Sequence, residues 1–273
     1  MARRGATVPL THFQQALLAE LAKQPTDERY LAGGAALHFA PNSTRYSEDL
    51  DFFHDSEARV ASAFAADRDS LLHAGYLVDV ELSQPGFVRA VVRRGEDATR
   101  VDWAHDSAWR FLPLVHDALG GWLLHPVDLS INKVLALAGR DEPRDFVDIL
   151  FVHQHVLPLA AVCWAAAGKD PGFSPLSLLE LLKRRGRYRP DDFARLHFVE
   201  PFDVAQAKTL WLAALEEAEA FARARPPEES GCLYYMTVGE RFVVPRTAVS
   251  LVKQGIIPHF GEPGGIVPRV TDA

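Results

Sequence analysis

The sequence predicts an α+β protein: a small mixed sheet with helical cover, then a mostly helical half and a short β-like tail. Three observations predict it. Four segments of strand character fall between residues 49 and 103, helical apolar spacing dominates from about residue 128, and short β-like runs return after residue 226. The implied divisions are 1–127, 128–225 and 226–273.

Thr11 precedes the stripe Phe13, Leu17, Leu18 and Leu21, so residues 11–23 read as an amphipathic helix with a hydroxyl cap, broken at Pro25. Tyr30, Leu31 and Ala32 run into Gly33-Gly34 and then Ala35 to Phe39, a short strand, a glycine turn and a helix start that ends at Pro41-Asn42. Strands follow at 49–53, 76–82, 87–94 and 99–103. Turns at Gln84-Pro85-Gly86 and Gly95-Glu96-Asp97 join the last three as a meander, and a helix over 58–74 links the first two. After Pro126, Asp128 or Ser130 is expected to cap a helix ending near Gly139, and Pro143 suits the first turn of the next. Helices are also expected at 176–182 and 204–224, the stretch 224–231 has linker composition, and 233–238 and 241–244 look β-like.

Composition narrows the function. With 273 residues, 48% of them apolar and 24% charged, the chain is ordinary globular material. No apolar run approaches the ~20 residues of a membrane span, and no hydrophobic stretch follows the first five residues as in a signal peptide, so a cytoplasmic protein with no membrane partner is expected. Cys163 and Cys232 lack partners at metal spacing, which argues against a zinc site or a disulfide framework. A net charge of −7 argues against a globally basic nucleic-acid binder, so any RNA contact must be regional.

The chemistry concentrates in Arg45-Tyr46-Ser47-Glu48-Asp49-Leu50-Asp51-Phe52-Phe53. Strand alternation puts Asp49 and Asp51 on one face and core residues Leu50 and Phe52 on the other. Such carboxylates suit Mg2+ or Mn2+, whose remaining positions are filled by water and substrate phosphates; two solvated surface acids are the plainer alternative. Gly33-Gly34 either brings backbone N–H groups to a triphosphate or is an ordinary tight turn. Asp102 ends the meander and completes a three-acid set of the kind two-metal nucleotidyl transfer uses, or is a strand-end carboxylate. In the helical half, Lys133 and Arg140 share a helix face, while Asp145 and Asp148 stand three apart on the next helix. An ion-pair network joining two helices, including Arg144 with Asp148, explains part of this cluster; a cation turned toward phosphate would add transition-state stabilisation.

Taken in order, these motifs resemble the AbiEii/AbiGii-type nucleotidyltransferase toxins, the mycobacterial MenT group included, over about residues 28–155. The resemblance implies a polymerase-β-like nucleotidyltransferase fold, with Asp49, Asp51 and Asp102 binding metal and Lys133 catalytic. Gly33, Gly34, Arg45, Ser47, Arg140, Asp145 and Asp148 would bind nucleotide. Gly34 replaces a frequent serine and Glu142 a lysine, for which Arg144 is the nearest substitute cation. The family further implies a magnesium-dependent toxin using an NTP, a cognate antitoxin, and transfer of NMP to the tRNA 3′ end. RNA contact would fall on Lys183, Arg184, Arg185, Arg187 and Arg189, with Tyr188 stacking on a base; a solvated helix end is the alternative. Nucleotidylation of a protein or small molecule, or a non-catalytic nucleotide-binding module, are the competing functions.

Overall fold

Thr11 caps the first helix as expected. Its hydroxyl accepts from Gln14 N at 3.1 Å while Gln14 Oε1 accepts from Thr11 N at 3.0 Å, a reciprocal capping box that starts α1 (His12–Leu21). The computed structural model describes residues 10–23, 29–39, 43–246 and 248–269. The breaks expected at Pro25 and at Pro41-Asn42 lie outside the described residues.

The chain forms two units. The first contains Met1–Ala108, Pro113–His125 and His197–Glu200; the second contains Trp109–Leu112, Pro126–Leu196 and Pro201–Ala273. In the first unit, α1 is followed by β1 (Arg29–Ala32), α2 (Gly33–Leu37), β2 (Asp49–His54), α3 (Glu57–His73), β3 (Leu77–Gln84), β4 (Phe87–Arg94) and β5 (Asp97–His105). β6 (Trp109–Arg110) belongs to the second unit, and β7 (Val115–Asp117) with β8 (Gly121–Leu123) returns to the first. Strand order across the seven-stranded sheet is β3-β4-β5-β2-β1-β8-β7, with β2/β5 and β1/β8 parallel and the other pairs antiparallel. Periodicity does not reveal β6, β7 and β8, because strands of two or three residues are too short to show alternation. What organises the β7–β8 hairpin is Asp117, whose carboxylate accepts from Leu119 N at 2.7 Å and Gly120 N at 3.0 Å.

Strand alternation divides this sheet. Leu50, Phe52, Val101 and Trp103 are buried on the face that carries α1 and α3. There the Trp103 ring meets Phe64 edge-on at 5.0 Å, and its Nε1 donates to Asp67 at 2.8 Å. Asp67 also holds Arg29, which itself lies over Phe52. Burial raises the Asp67 pKa against the lowering influence of Arg29. Removing either partner would leave a buried charge, at a cost of about 3–5 kcal/mol. The opposite face is therefore left to the polar residues of β2 and β5.

The second unit is built on α4 (Pro126–Arg140), α5 (Pro143–His155), α6 (Leu159–Lys169), α7 (Pro175–Leu182) and α8 (Val204–Ala224). Every residue from Leu159 to Ala166 is buried, so α6 is the apolar centre on which α4, α7 and α8 pack. Asp128 and Ser130 lie inside α4 rather than capping it, because the helix begins at Pro126. The fully buried Asp128 carboxylate instead accepts from Phe111 N at 2.7 Å and Leu112 N at 3.0 Å. Burial pushes its pKa up to about 6.

The stretch 224–231 is a packed junction, not a free linker. Arg225 is buried and bonded to Glu229, and the Tyr234 hydroxyl donates to Glu229 at 2.7 Å. Gly231, at φ +86°, lies so close to Gly168 that a side chain would strike its backbone. The tail then adds β9 (Leu233–Met236), β10 (Arg241–Val243) and β11 (Ile256–His259) as a sheet of order β10-β9-β11. β12 (Glu262–Pro263) pairs with β6. No single helix among the described residues is long and apolar enough to cross a membrane.

Candidate active site

The parallel register of β2 and β5 sets Asp51 opposite Asp102 and Asp49 opposite Arg100. The β4–β5 hairpin sets Arg89 opposite Asp102, and β1 sets Ala32 opposite Asp51. Arg89, Asp102 and Asp51 thus form one row on one face of the sheet, on strands about 4.8 Å apart. Asp49 stands on the same face, two residues along the strand from Asp51.

Where that row reaches β1, the chain turns sharply. Gly33 adopts φ +62°, and a side chain there would collide with the Asp51 carboxylate. Backbone thus comes within contact of the acid, as only glycine permits. α2 begins at Gly33 itself. Around Gly34 the space is taken by Arg45 and Ser47: a Cβ would fall 2.9 Å from Arg45 Nη2 and 3.1 Å from Ser47 Oγ. Both are buried, Arg45 Nη1 donates to Tyr46 O at 3.0 Å, and Ser47 Oγ donates to Asp49 O at 3.0 Å. Backbone bonds Tyr46 N to His197 O (2.9 Å) and Val199 N to Thr44 O (3.0 Å) hold the segment before β2. No local feature of residues 197–199 marks them as support for this motif.

Asp49 and Asp51 are half-buried and suit a hard divalent cation, which takes one or two carboxylates and leaves its other positions to water and phosphate. Asp102 is differently placed. Both its oxygens are engaged by Arg89, Oδ1 with Nε at 2.8 Å and Oδ2 with Nη2 at 2.6 Å. Among the described residues no group of three or more His, Cys, Asp or Glu side chains is drawn together as a ligand set. The residues thus fit a cation held by the Asp49–Asp51 pair.

In the second unit, Lys133, Arg140, Asp145 and Asp148 do come together. Lys133 Nζ lies 2.7 Å from Asp148 and 3.4 Å from Asp145, and Arg140 binds Asp145 in a fork at 2.6 and 2.8 Å. Both carboxylates are fully buried. The face shared by Lys133 and Arg140 therefore exists, and it meets the acids of α5. Glu142, at the lysine position of the motif, is exposed at the N-cap of α5.

The basic run is divided by its contacts. Lys183 pairs with Glu180 at 2.8 Å and Glu219 at 2.7 Å, and Arg185 with Asp141 at 3.2 Å. Arg184, Arg187 and Arg189 are exposed. Tyr188 is buried and donates to Asp141 at 2.7 Å, so it is not presented for stacking on a base. That burial raises its pKa, with Asp141 adding to the effect.

A model of the family described as "Nucleotidyl transferase AbiEii toxin, Type IV TA system" matches residues 16–227. The chain belongs to that family. This AbiEii protein is a nucleotidyltransferase by family, with the mixed sheet and helical cover seen in solved nucleotidyltransferases. MenT4, a nucleotidyltransferase toxin of Mycobacterium tuberculosis, shares the fold at 18% identity and TM-score 0.52, over 79% of this chain and 83% of that one. JHP933 from Helicobacter pylori aligns at 15% identity and TM-score 0.43, over 77% of this AbiEii chain and 92% of its own. No curated protein matches the sequence.

Proposed function

We propose that this AbiEii protein transfers NMP from an NTP to the 3′ end of tRNA in a magnesium-dependent reaction, in the cytoplasm and under restraint by a cognate antitoxin. The observation that carries the reading is the Asp49–Asp51 pair set against the tight Gly33 turn. Asp49 and Asp51 would hold Mg2+ or Mn2+, which when bound neutralises phosphate charge and polarises the reacting oxygens. Gly33 and Gly34 would let the phosphates approach the backbone, and Arg45 and Ser47 fix the shape of that turn. In the transfer, the acceptor hydroxyl oxygen bonds to the α-phosphorus and the bond to the bridging oxygen breaks. Pyrophosphate leaves with that electron pair, and the hydroxyl proton passes to solvent.

Lys133, Arg140, Asp145 and Asp148 enter this reading through the family resemblance, with Lys133 as the electrostatic contributor. Arg184, Arg187 and Arg189 support an RNA acceptor as exposed cations on an otherwise acidic protein. The test is incubation with total tRNA, magnesium and each labelled nucleoside triphosphate in turn. Label on tRNA 3′ ends supports the reading. Label on protein or a small molecule would redirect the acceptor, and absence of transfer with every nucleotide would leave a binding module.

A further inference from the structure

Arg89 occupies the place at which a second cation would complete a three-carboxylate site. It stands opposite Asp102 in the β4–β5 register, in the row that continues to Asp51. Its guanidinium spans both Asp102 oxygens at 2.6 and 2.8 Å, a bidentate fit that takes one lone pair on each oxygen and sets a fixed positive charge against any second cation there. Further contacts hold it there. The guanidinium lies 5.3 Å from the centre of the Phe87 ring, and the charges of Glu81 and Asp49 reinforce that of Asp102. The Asp102 carboxylate is nine-tenths buried, so exchanging this partner for a metal would require desolvating and rebuilding an established ion pair.

We propose that Arg89 makes this a single-cation site: Asp49 and Asp51 hold one divalent ion, and the guanidinium permanently supplies the positive charge a second ion would bring to Asp102. The proposal rests on the nucleotidyltransferase reading of the Asp49–Asp51 pair. Arginine suits the role because it stays protonated and its planar fork matches a carboxylate, whereas a divalent ion would need additional oxygen ligands. Arg89 is then a positioning residue that sets how many metal ions the site accepts.

The experiment is Mn2+ titration followed by electron paramagnetic resonance, on the full chain with a non-hydrolysable nucleoside triphosphate and with nucleotide alone as control. The wild type in complex with the nucleotide should hold one Mn2+ per chain, with a mononuclear spectrum distinct from that of the nucleotide alone. Arg89→Gln should gain a second Mn2+ and the exchange-coupled signal of a dinuclear pair. Arg89→Lys, which keeps the charge, should remain mononuclear; so should Asp102→Asn, which keeps the shape and provides a second readout if Arg89→Gln fails to fold. A dinuclear wild type would overturn the proposal, as would a mononuclear folded Arg89→Gln or loss of the ion in Asp102→Asn. Absence of protein-bound Mn2+ in the wild type, or its retention in Asp51→Ala, would instead overturn the underlying assignment of the acid pair.

Discussion

Arg45 fills the space that a side chain on Gly34 would need: the Cβ position lies 2.9 Å from Arg45 Nη2 and 3.1 Å from Ser47 Oγ. A side chain at position 34 would therefore press on two buried neighbours. Gly34→Ser should cost about 1–3 kcal/mol through overpacking. In an Arg45→Ala background the same change should cost less, because its main obstacle is gone. Denaturant unfolding of both single mutants and the double mutant measures the coupling; additive effects would show the two sites to be independent.

Asp49→Ala and Asp51→Ala should each abolish nucleotide transfer while leaving the thermal transition near that of the wild type. Both side chains are half-buried on the polar face of β2, and no apolar core is removed. Taking away one of two neighbouring carboxylates also relieves like-charge repulsion. Transfer of labelled nucleotide with magnesium present, alongside circular dichroism melts, checks both halves. Full activity in either mutant would sink the metal assignment.

Lys133→Ala should lower stability by about 3–5 kcal/mol, since it strips a cation from two fully buried carboxylates. Adding Asp148→Asn should restore part of that stability by removing the charge left behind. Transfer measured at a temperature where Lys133→Ala is still folded separates packing from chemistry. Normal turnover in the folded mutant would make this lysine purely structural, and a barrier raised by several kcal/mol would make it a participant.

Asp128 gives a pH dependence of definite sign. Its folded pKa of about 6 exceeds the ordinary value of 3.8, so the folded state holds more protons between those limits. Stability should therefore fall as pH rises from about 4 to about 6, by about 3 kcal/mol from this group. Asp128→Asn removes the titration, although it also gives up one of two acceptors for the Phe111 and Leu112 amides. Melts of both proteins across this range should show the wild type losing stability relative to the mutant. Parallel curves would refute the assignment.

Neutralising Arg184, Arg187 and Arg189 together should weaken binding to all tRNAs alike. The slope of log affinity against log salt should flatten by about 0.7–0.9 for each phosphate that the protein no longer neutralises. Lys183 and Arg185 are poorer choices because acids already engage them. Anisotropy titrations at several salt concentrations decide the matter; an unchanged slope would return the run to a solvated helix end.

Alternation and capping made most of the regular elements legible. Asp49-Leu50-Asp51-Phe52 told its two faces directly, because Leu50 and Phe52 had to be buried and the acids followed from a period of two. The Arg89–Asp102 pair was within reach by the same means. Arg94 faces Asp97 across a two-residue loop containing Gly95 at φ +63°, and counting back from that turn sets position 89 against position 102. What the sequence hid were meetings of distant segments: His197 on Tyr46, Phe111 on Asp128, Gly231 on Gly168. None has a local signature, because each depends on where two stretches come together only after both have folded. Tyr188 failed for a related reason. Its basic neighbours suggested exposure, whereas Asp141 and the ring of Phe146 hold it inside.

The division into two units has a consequence for ancestry and engineering. The chain passes from one unit to the other at 108/109, 112/113, 125/126, 196/197 and 200/201. No single recombination breakpoint can lift either unit out whole. Neither is a cassette that gene shuffling could trade among relatives, and a chimera joined at one seam would inherit incomplete versions of both. A cut at 125/126, for example, would carry Trp109–Leu112 away from the rest of its unit and leave His197–Glu200 behind.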